Sequence, residues 1–510
     1  MHVLLLYPQF PDTFWSFKYA LEFVGKRAAL PPLGLLTIAA LLPQTWSLRL
    51  VDTNVRALTD EDLAWADYAF LSAMAIQRTS AQRLVTRCKA AGLRVVAGGP
   101  LFTSAHAQFP DVDHFVLNEA ELTLPPFLAD LAQGRAQRLY TDLAFADLSQ
   151  SPMPRWDLLD FRRYASMSLQ FSRGCPFHCE FCNVTTLFGH RVRIKSTAQI
   201  IAELDQLHAL GWRSDVFFVD DNFIGNRQFL KTELLPALLA WRAHKHGHTF
   251  FTEASINLAD DAVLLDLMVR AGFTKVFIGI ETPDEQCLAE CDKGQNRHRD
   301  LVADVHRIQR AGLQVQGGFI VGFDHDQPSI FQRQLDFIQQ SGIVTAMVGL
   351  LQAPLGTRLY KRLEKEGRLS AEFSGDNVDG TTNIIPVMNL ETLRDGYRRL
   401  LHHLYAPAPY YQRIRTFLRE YRTPHGQRPL EFADLLAIVR SIYRLGLLGR
   451  ERYQYWRLLC WTQFRHPRLL IQAITLAIYG YHFRKTCEQH VRQPDLPRRK
   501  PLPSGHGEVG

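Results

Sequence analysis

The chain has 510 residues, 46% hydrophobic and 21% charged, with a formal net charge of +7. This composition is globular and excludes general disorder, and the length exceeds what one core can fill, predicting two to four domains. Eight cysteines in such a length form no disulfide scaffold, which fits a reducing cytoplasm.

The first apolar run, residues 3–6, has no basic lead and predicts a buried strand rather than a signal peptide. Further strands are predicted at 47–51, 68–73, 93–97 and 114–116, with helices at 34–42 and 80–91 between them. This alternation predicts a doubly wound parallel α/β sheet over residues 1–145, whose ligands bind beyond the carboxyl ends of its strands. Candidate residues there are Tyr7 to Gln9, Asp52 to Asn54, Ser72, Met74 to Gln77, Gly98, Gly99, Pro100, Asn118 and Glu119. Gly98 and Gly99 can let a backbone approach a bulky ligand, or simply make a tight turn. Residues 146–163 lack periodicity, carry Pro152, Pro154 and Trp156, and predict a linker across the surface.

The stretch 171–183 sets Cys175, Cys179 and Cys182 in C-x3-C-x2-C spacing. Three thiolates on one tight loop can hold three irons of a cubane cluster and leave the fourth open; a zinc site with a distant fourth ligand is the competing reading. Strands are predicted at 167–171, 216–220, 249–254, 275–280, 315–321 and 345–351, and helices at 197–210, 260–271, 300–311 and 330–341. Six such units over 164–395 predict a partial (β/α)6 barrel with the cysteine loop on its active face. At the strand ends, Asp220, Asp221 and Asn222 either cap the next helix or meet a ligand. Glu253 sits in an otherwise apolar strand, where a carboxylate is costly unless paired or bound to something. His178 and His190 flank the loop and are read as packing, as are Cys287 and Cys291, four residues apart.

Residues 396–490 predict amphipathic helices, and 491–510 a basic, proline-rich, disordered tail. From 401 to 510 there are 18 Lys and Arg against 7 Asp and Glu, while the first 400 residues carry a net charge of −4. The basic helices read as a cap on the barrel, as an attachment to an anionic membrane surface, or, with no recognition motif, least well as a nucleic-acid site. No apolar stretch reaches the roughly 18 residues of a spanning helix, so the expectation is a soluble cytoplasmic protein, at most peripheral to the membrane.

With Phe181 before the last cysteine and a strand leading in, the loop resembles that of the radical S-adenosylmethionine (SAM) enzymes. The resemblance implies a [4Fe-4S] cluster on Cys175, Cys179 and Cys182, whose open iron chelates SAM and whose electron releases a 5′-deoxyadenosyl radical. It suggests SAM contacts from Phe181, Asp220, Glu253, Gly279, Glu281 and Gly318, where carboxylates can accept bonds from ribose hydroxyls or the ammonium group. The run 277–283 fits the family's G-x-I-x-G-x-x-E region only loosely.

Residues 1–145, with the 31–35 turn and Gly98-Gly99-Pro100, resemble the Rossmann-like cobalamin-binding domain of one subfamily. By resemblance, cobalamin contacts fall on Asp52, Asn54, Ser72, Gln77, Gly98, Gly99, Pro100 and Glu119. Asp52-Thr53-Asn54-Val55-Arg56-Ala57 departs from the usual Asp-x-His-x-x-Gly, which implies cobalt without a lower histidine. The order of parts is similar to the hopanoid C-2 methyltransferase group, and implies methyl transfer to an unactivated carbon of an apolar substrate. An electron donor such as flavodoxin or ferredoxin is implied. Tetrapyrrole modification, a non-methylating rearrangement or cyclisation, and a cobalamin sensor without turnover are the alternatives.

Overall fold

The computed structural model describes residues 1–370, 373–376, 378–422 and 432–492, so all but the first two residues of the expected tail lie outside the described residues. The first sheet contains β1 (His2–Tyr7), β2 (Ser47–Asp52), β3 (Tyr68–Ser72), β4 (Arg94–Gly98), β5 (His114–Val116) and β6 (Leu139–Tyr140). All are parallel, in the order β2-β1-β3-β4-β5-β6. β1 is apolar on both faces because both are covered: Leu4 and Leu6 enter one core, Val3 and Leu5 the other. The direction in which successive strands are added reverses between β1 and β3, so their carboxyl ends flank a crevice. β6 escapes the sequence pattern because it is two residues long and one of them, Leu139, is exposed.

The second sheet is built from β7 (Met167–Leu169), β10 (Asp215–Phe218), β11 (Thr249–Ala254), β12 (Phe273–Glu281), β13 (Gln314–Val321) and β14 (Ala346–Leu350). Between β7 and β10 lies a short antiparallel hairpin of β8 (Ser172–Arg173) and β9 (Arg193–Ile194). The six long-sheet strands are parallel and run in chain order from β7 to β14, an open barrel with helices outside. Val216, Phe218, Phe250, Val276 and Ile278 face those helices and are fully buried. The alternate positions, Phe217, Phe251, Glu253 and Phe277, face the half-open lumen.

One reading changes and one is met. Residues 146–163 do not simply cross the surface, since Trp156 is fully buried in the barrel core and Leu148 is almost so. The C-terminal helices pack on the barrel, which is the cap reading. They are α2 (Leu390–Tyr405), α3 (Pro407–Glu420), α4 (Phe432–Ser441), α5 (Arg452–Arg465) and α6 (Leu470–Arg492), with α1 (Lys18–Val24) clasped by α4 and α6. Tyr397 and Tyr405 of α2 donate their hydroxyls to the carbonyls of Val348 and Ala346, closing the free edge of β14. Arg413 is fully buried, yet its guanidinium donates to Gln339 Oε1 at 2.9 Å and to the Leu404 and Val344 carbonyls. Among the described residues no helix is long and apolar enough to cross a membrane.

Helix α6 touches α3 through Gly480, where a Cβ would collide with the Tyr410 ring. Gly480→Val should therefore lower unfolding stability by about 1–3 kcal/mol, the usual penalty of overpacking. Urea denaturation would show a lower midpoint; an unchanged midpoint would mean that the two helices can separate freely.

Candidate active site

The cysteine loop begins where only glycine serves. Gly174 has φ +92°, and a Cβ would lie 2.7 Å from the Arg191 carbonyl. The loop is then fixed by backbone bonds: Cys175 N–H to Gly189 O, Cys182 N–H to Cys179 O at 3.2 Å, and Glu180 N–H to Cys291 O at 2.9 Å. All three thiols are free and partly exposed. Burial holds Cys175 above its ordinary value and pushes Cys182 up to about 12. Three soft donors on one rigid loop, with no disulfide among them, suit iron–sulfur ligation. His178 and His190 stack on each other with ring centres 4.2 Å apart, and Cys287 and Cys291 are buried in a small apolar cluster. Both outcomes are the packing reading.

Two sets of carboxylates hold this loop. From the barrel, Asp220 accepts from Phe171 N–H at 3.2 Å and from the backbone and hydroxyl of Ser172, and Asp221 accepts from Gly174 N–H at 3.3 Å. Asp220 and Asp221 therefore fasten the loop, while Asn222 accepts from Ser255 N–H just beyond β11. From the first sheet, Glu119 and Glu121 reach across to the hairpin. Arg193 binds Glu119 at 2.5 and 2.8 Å, and Arg173 binds Glu121 at 2.8 and 3.1 Å and Glu119 at 3.4 Å. Glu119 is only 2% exposed in its side chain and also accepts from Ala146 N–H. Burial works against ionisation at Glu121, but Arg173 outweighs it and holds that carboxyl below its usual range.

Glu253 stands apart. Its side chain keeps some surface toward the lumen and makes no hydrogen bond or ion pair among the described residues. Burial, with Asp221 and Asp220 nearby, pushes its carboxyl up to about 8, and similar burial takes Asp220 to about 7 and Asp221 to about 6. Phe217 and Phe251 stack below it at 4.7 Å. Trp15, from the loop after β1, meets Phe277 edge-on at 5.4 Å and donates Nε1–H to Met347 Sδ at 2.9 Å.

At the end of β12 a register shift and φ +64° turn Glu281 onto Lys293, with Nζ 2.6 Å from its carboxylate. Burial alone would lower Lys293, but Glu281 and the thiolate positions keep it protonated, above its usual range. Its ammonium also lies 5.9 Å from the Phe181 ring centre. The room that Gly279 leaves is occupied by Glu281 and Lys293, and that of Gly318 by the Phe277 ring. Asn296 donates to the carbonyls of Gly279 and Ile280 at 3.0 Å.

In the first sheet the candidate residues brace the crevice. Asp52 accepts from Asn54 N–H at 2.9 Å and from the Tyr164 hydroxyl at 3.0 Å. Asn54 accepts from Phe10 N–H at 2.8 Å and donates to Pro8 O, which also takes a bond from buried Gln77 at 2.5 Å. A Cβ on Gly98 would lie 2.5 Å from Val116 O, and one on Gly99 2.6 Å from Ser72 Oγ, so protein atoms already fill both spaces. Pro100 opens the following helix. The residues that sequence reasoning missed are Glu121, Arg173, Arg193, Lys293, Asn296 and Trp15. None carries a local motif, because each partner lies elsewhere in the chain.

A six-stranded parallel barrel with three cysteines after its first strand defines a radical SAM core. The pattern of the radical SAM superfamily matches residues 169–338, and a domain of unknown function (DUF4070) matches residues 357–495. The chain is 41% identical to an uncharacterized methyltransferase of Synechocystis sp., over 95% of this chain and 91% of that protein. It is 37% identical to the hopanoid C-2 methylase of Rhodopseudomonas palustris, over 74% of this chain and 73% of that one. In fold it is similar to the cobalamin-dependent SAM radical enzyme OxsB, solved with aqua-cobalamin and SAM bound, at TM-score 0.62 and 15% identity, covering 96% of this chain and 83% of OxsB. The protein belongs to the radical SAM methyltransferase family, whose radical SAM domain implies SAM and a [4Fe-4S] cluster.

Two outcomes test the electrostatics. Glu119→Gln leaves two buried arginines short of charge and should destabilise the metal-free protein by about 3–5 kcal/mol in urea; a loss under about 1 kcal/mol would show the clamp to be idle. Glu253 titrates at about 8 in the fold against 4.5 ordinarily, so between these values the unfolded chain holds fewer protons and stability falls as pH rises. Glu253→Gln should flatten that fall. Parallel stability–pH curves for the two proteins would contradict the raised carboxyl.

Proposed function

We propose that the protein is a cobalamin-dependent radical SAM C-methyltransferase acting on an unactivated carbon of an apolar substrate, with a hopanoid or related isoprenoid as the leading candidate. The observation that carries this reading is the likeness to the hopanoid C-2 methylase of Rhodopseudomonas palustris over 74% of this chain, beside which the structure has a small cavity of about 40 Å³ where the first sheet's loops meet the barrel. Thr13, Phe14, Trp15 and Ile76 line it from the first sheet's loops, and Met347, Gly375, Asp376 and Val378 from the barrel side.

Bound at Cys175, Cys179 and Cys182, the cluster would supply the electron that splits SAM and so begins hydrogen abstraction; a flavodoxin- or ferredoxin-class carrier would renew that electron. Cobalamin in the first sheet's crevice would supply the methyl group. The residues fit it without a lower imidazole: Asn54 replaces the histidine, and its amide is committed to Pro8 and Asp52. Burial keeps the Glu253 carboxyl protonated near neutral pH, so a cation such as the sulfonium or ammonium of SAM would draw off its proton and gain a carboxylate there beside Asp221, and Glu281, held by Lys293, remains an acceptor for ribose hydroxyls. Phe217, Phe251, Phe277 and Trp15 exclude water from the lumen and favour an apolar substrate.

Anaerobically reconstituted protein with SAM labelled in its methyl group should form 5′-deoxyadenosine and a labelled product from hopanoid substrate. Cys179→Ala should abolish both, together with the cluster's visible absorbance. Cleavage of SAM without label in the product would overturn methyl transfer. Bound cob(II)alamin should show no nitrogen splitting in its electron paramagnetic resonance spectrum; a clear nitrogen triplet would contradict the missing imidazole.

A further inference from the structure

The C-terminal cap carries a surface that its packing does not use. Helix α4, the wider turn that follows it (Ile442–Leu447) and α5 bury Ala437, Ser441, Leu445, Tyr455 and Leu458 against the protein. On the opposite side, Leu435, Val439, Tyr443 and Leu447 recur every four residues, a single helical stripe. These four and Leu448 at the tip are at least half exposed, and Trp456 of α5 stands beside them at 41%. An apolar stripe of this kind on a folded chain marks a binding face.

Charge says what covers it. Between Asp434 and Arg468 there are seven arginines and two acidic residues, and one of the acids, Glu451, is buried against Arg484. Arg450, Arg452, Arg457 and Arg465 are exposed and make no ion pair among the described residues. A second copy docked by a twofold axis would bring arginines against arginines. A nucleic acid would use the arginines but leave the leucines in water. A bilayer with anionic headgroups satisfies both, because leucines and aromatic rings enter the headgroup boundary while the arginines meet phosphates.

We propose that the face formed by α4, the 442–448 turn and α5 docks the protein on an anionic lipid bilayer, with Leu447 and Leu448 inserted. This face lies outside the site described above, so it holds or fails independently of the reaction.

The test is flotation of the full chain with vesicles of equal parts phosphatidylcholine and phosphatidylglycerol, against phosphatidylcholine alone. The protein should float with the anionic vesicles at low salt and stay behind with the neutral ones. Leu447→Asp with Leu448→Asp should weaken binding at least about tenfold, and so should Arg450→Glu with Arg457→Glu, the latter by removing headgroup attraction. Unchanged circular dichroism would show that both variants are folded. Failure of the native chain to float at low salt, or equal flotation of the native chain and the leucine variant, would overturn the proposal. A native dimer that the leucine variant breaks, without flotation, would assign the face to a second copy instead.

Discussion

Four side chains join the two halves of this protein at its most sensitive point. Arg173 and Arg193 rise from the hairpin that carries the three cysteines, and Glu119 and Glu121 come from the far end of the first sheet. All four are almost out of water, where ionic groups are tolerated only in well-made pairs. The arrangement therefore has little freedom: the hairpin must sit where both carboxylates can reach it. Asp220 and Asp221 hold the same loop from the barrel side, so the cysteines are bracketed by both sheets. The position of the cysteine loop against the first sheet is therefore set by charge pairing as well as by apolar packing.

The lumen beyond the loop shows the opposite electrostatic state. Asp220, Asp221 and Glu253 crowd together with burial raising all three, and Glu253 makes no hydrogen bond or ion pair among the described residues. Such a cluster is poised to give up protons when a cation binds. The surrounding walls are aromatic, so polarity is confined to the point where charge is handled. Trp15 and the clasp of α1 by α4 and α6 show that the N-terminal segment is part of this wall, not an appendage.

The sequence was most legible where the signal is local. Apolar runs and their spacing were enough for all eleven described strands longer than two residues, and the helix expected at 330–341 matches Ile330–Ser341 in full. The spacing of Cys175, Cys179 and Cys182 was equally plain. Illegible were features made by distant partners. Glu119 lies where a ligand contact was expected, but Arg193, 74 residues later, takes its carboxylate. Gly98 and Gly99 look like a cradle, yet Val116 and Ser72 fill the space they leave. The hairpin strands β8 and β9 have two residues each, too few for any period to register. Trp156 appeared in a proline-rich linker, and nothing local revealed the core that receives it.

The most direct measurement is the pulsed dipolar distance between bound cob(II)alamin and the reduced cluster, in the native protein and in Glu119→Gln. If the ion-pair clamp fixes the cysteine hairpin against the first sheet, the native protein gives one narrow distance distribution. The variant, at equal iron and cobalamin content, gives a broader one. The same narrow distribution in both would contradict the account, and would place the control of that geometry in the barrel's own carboxylates.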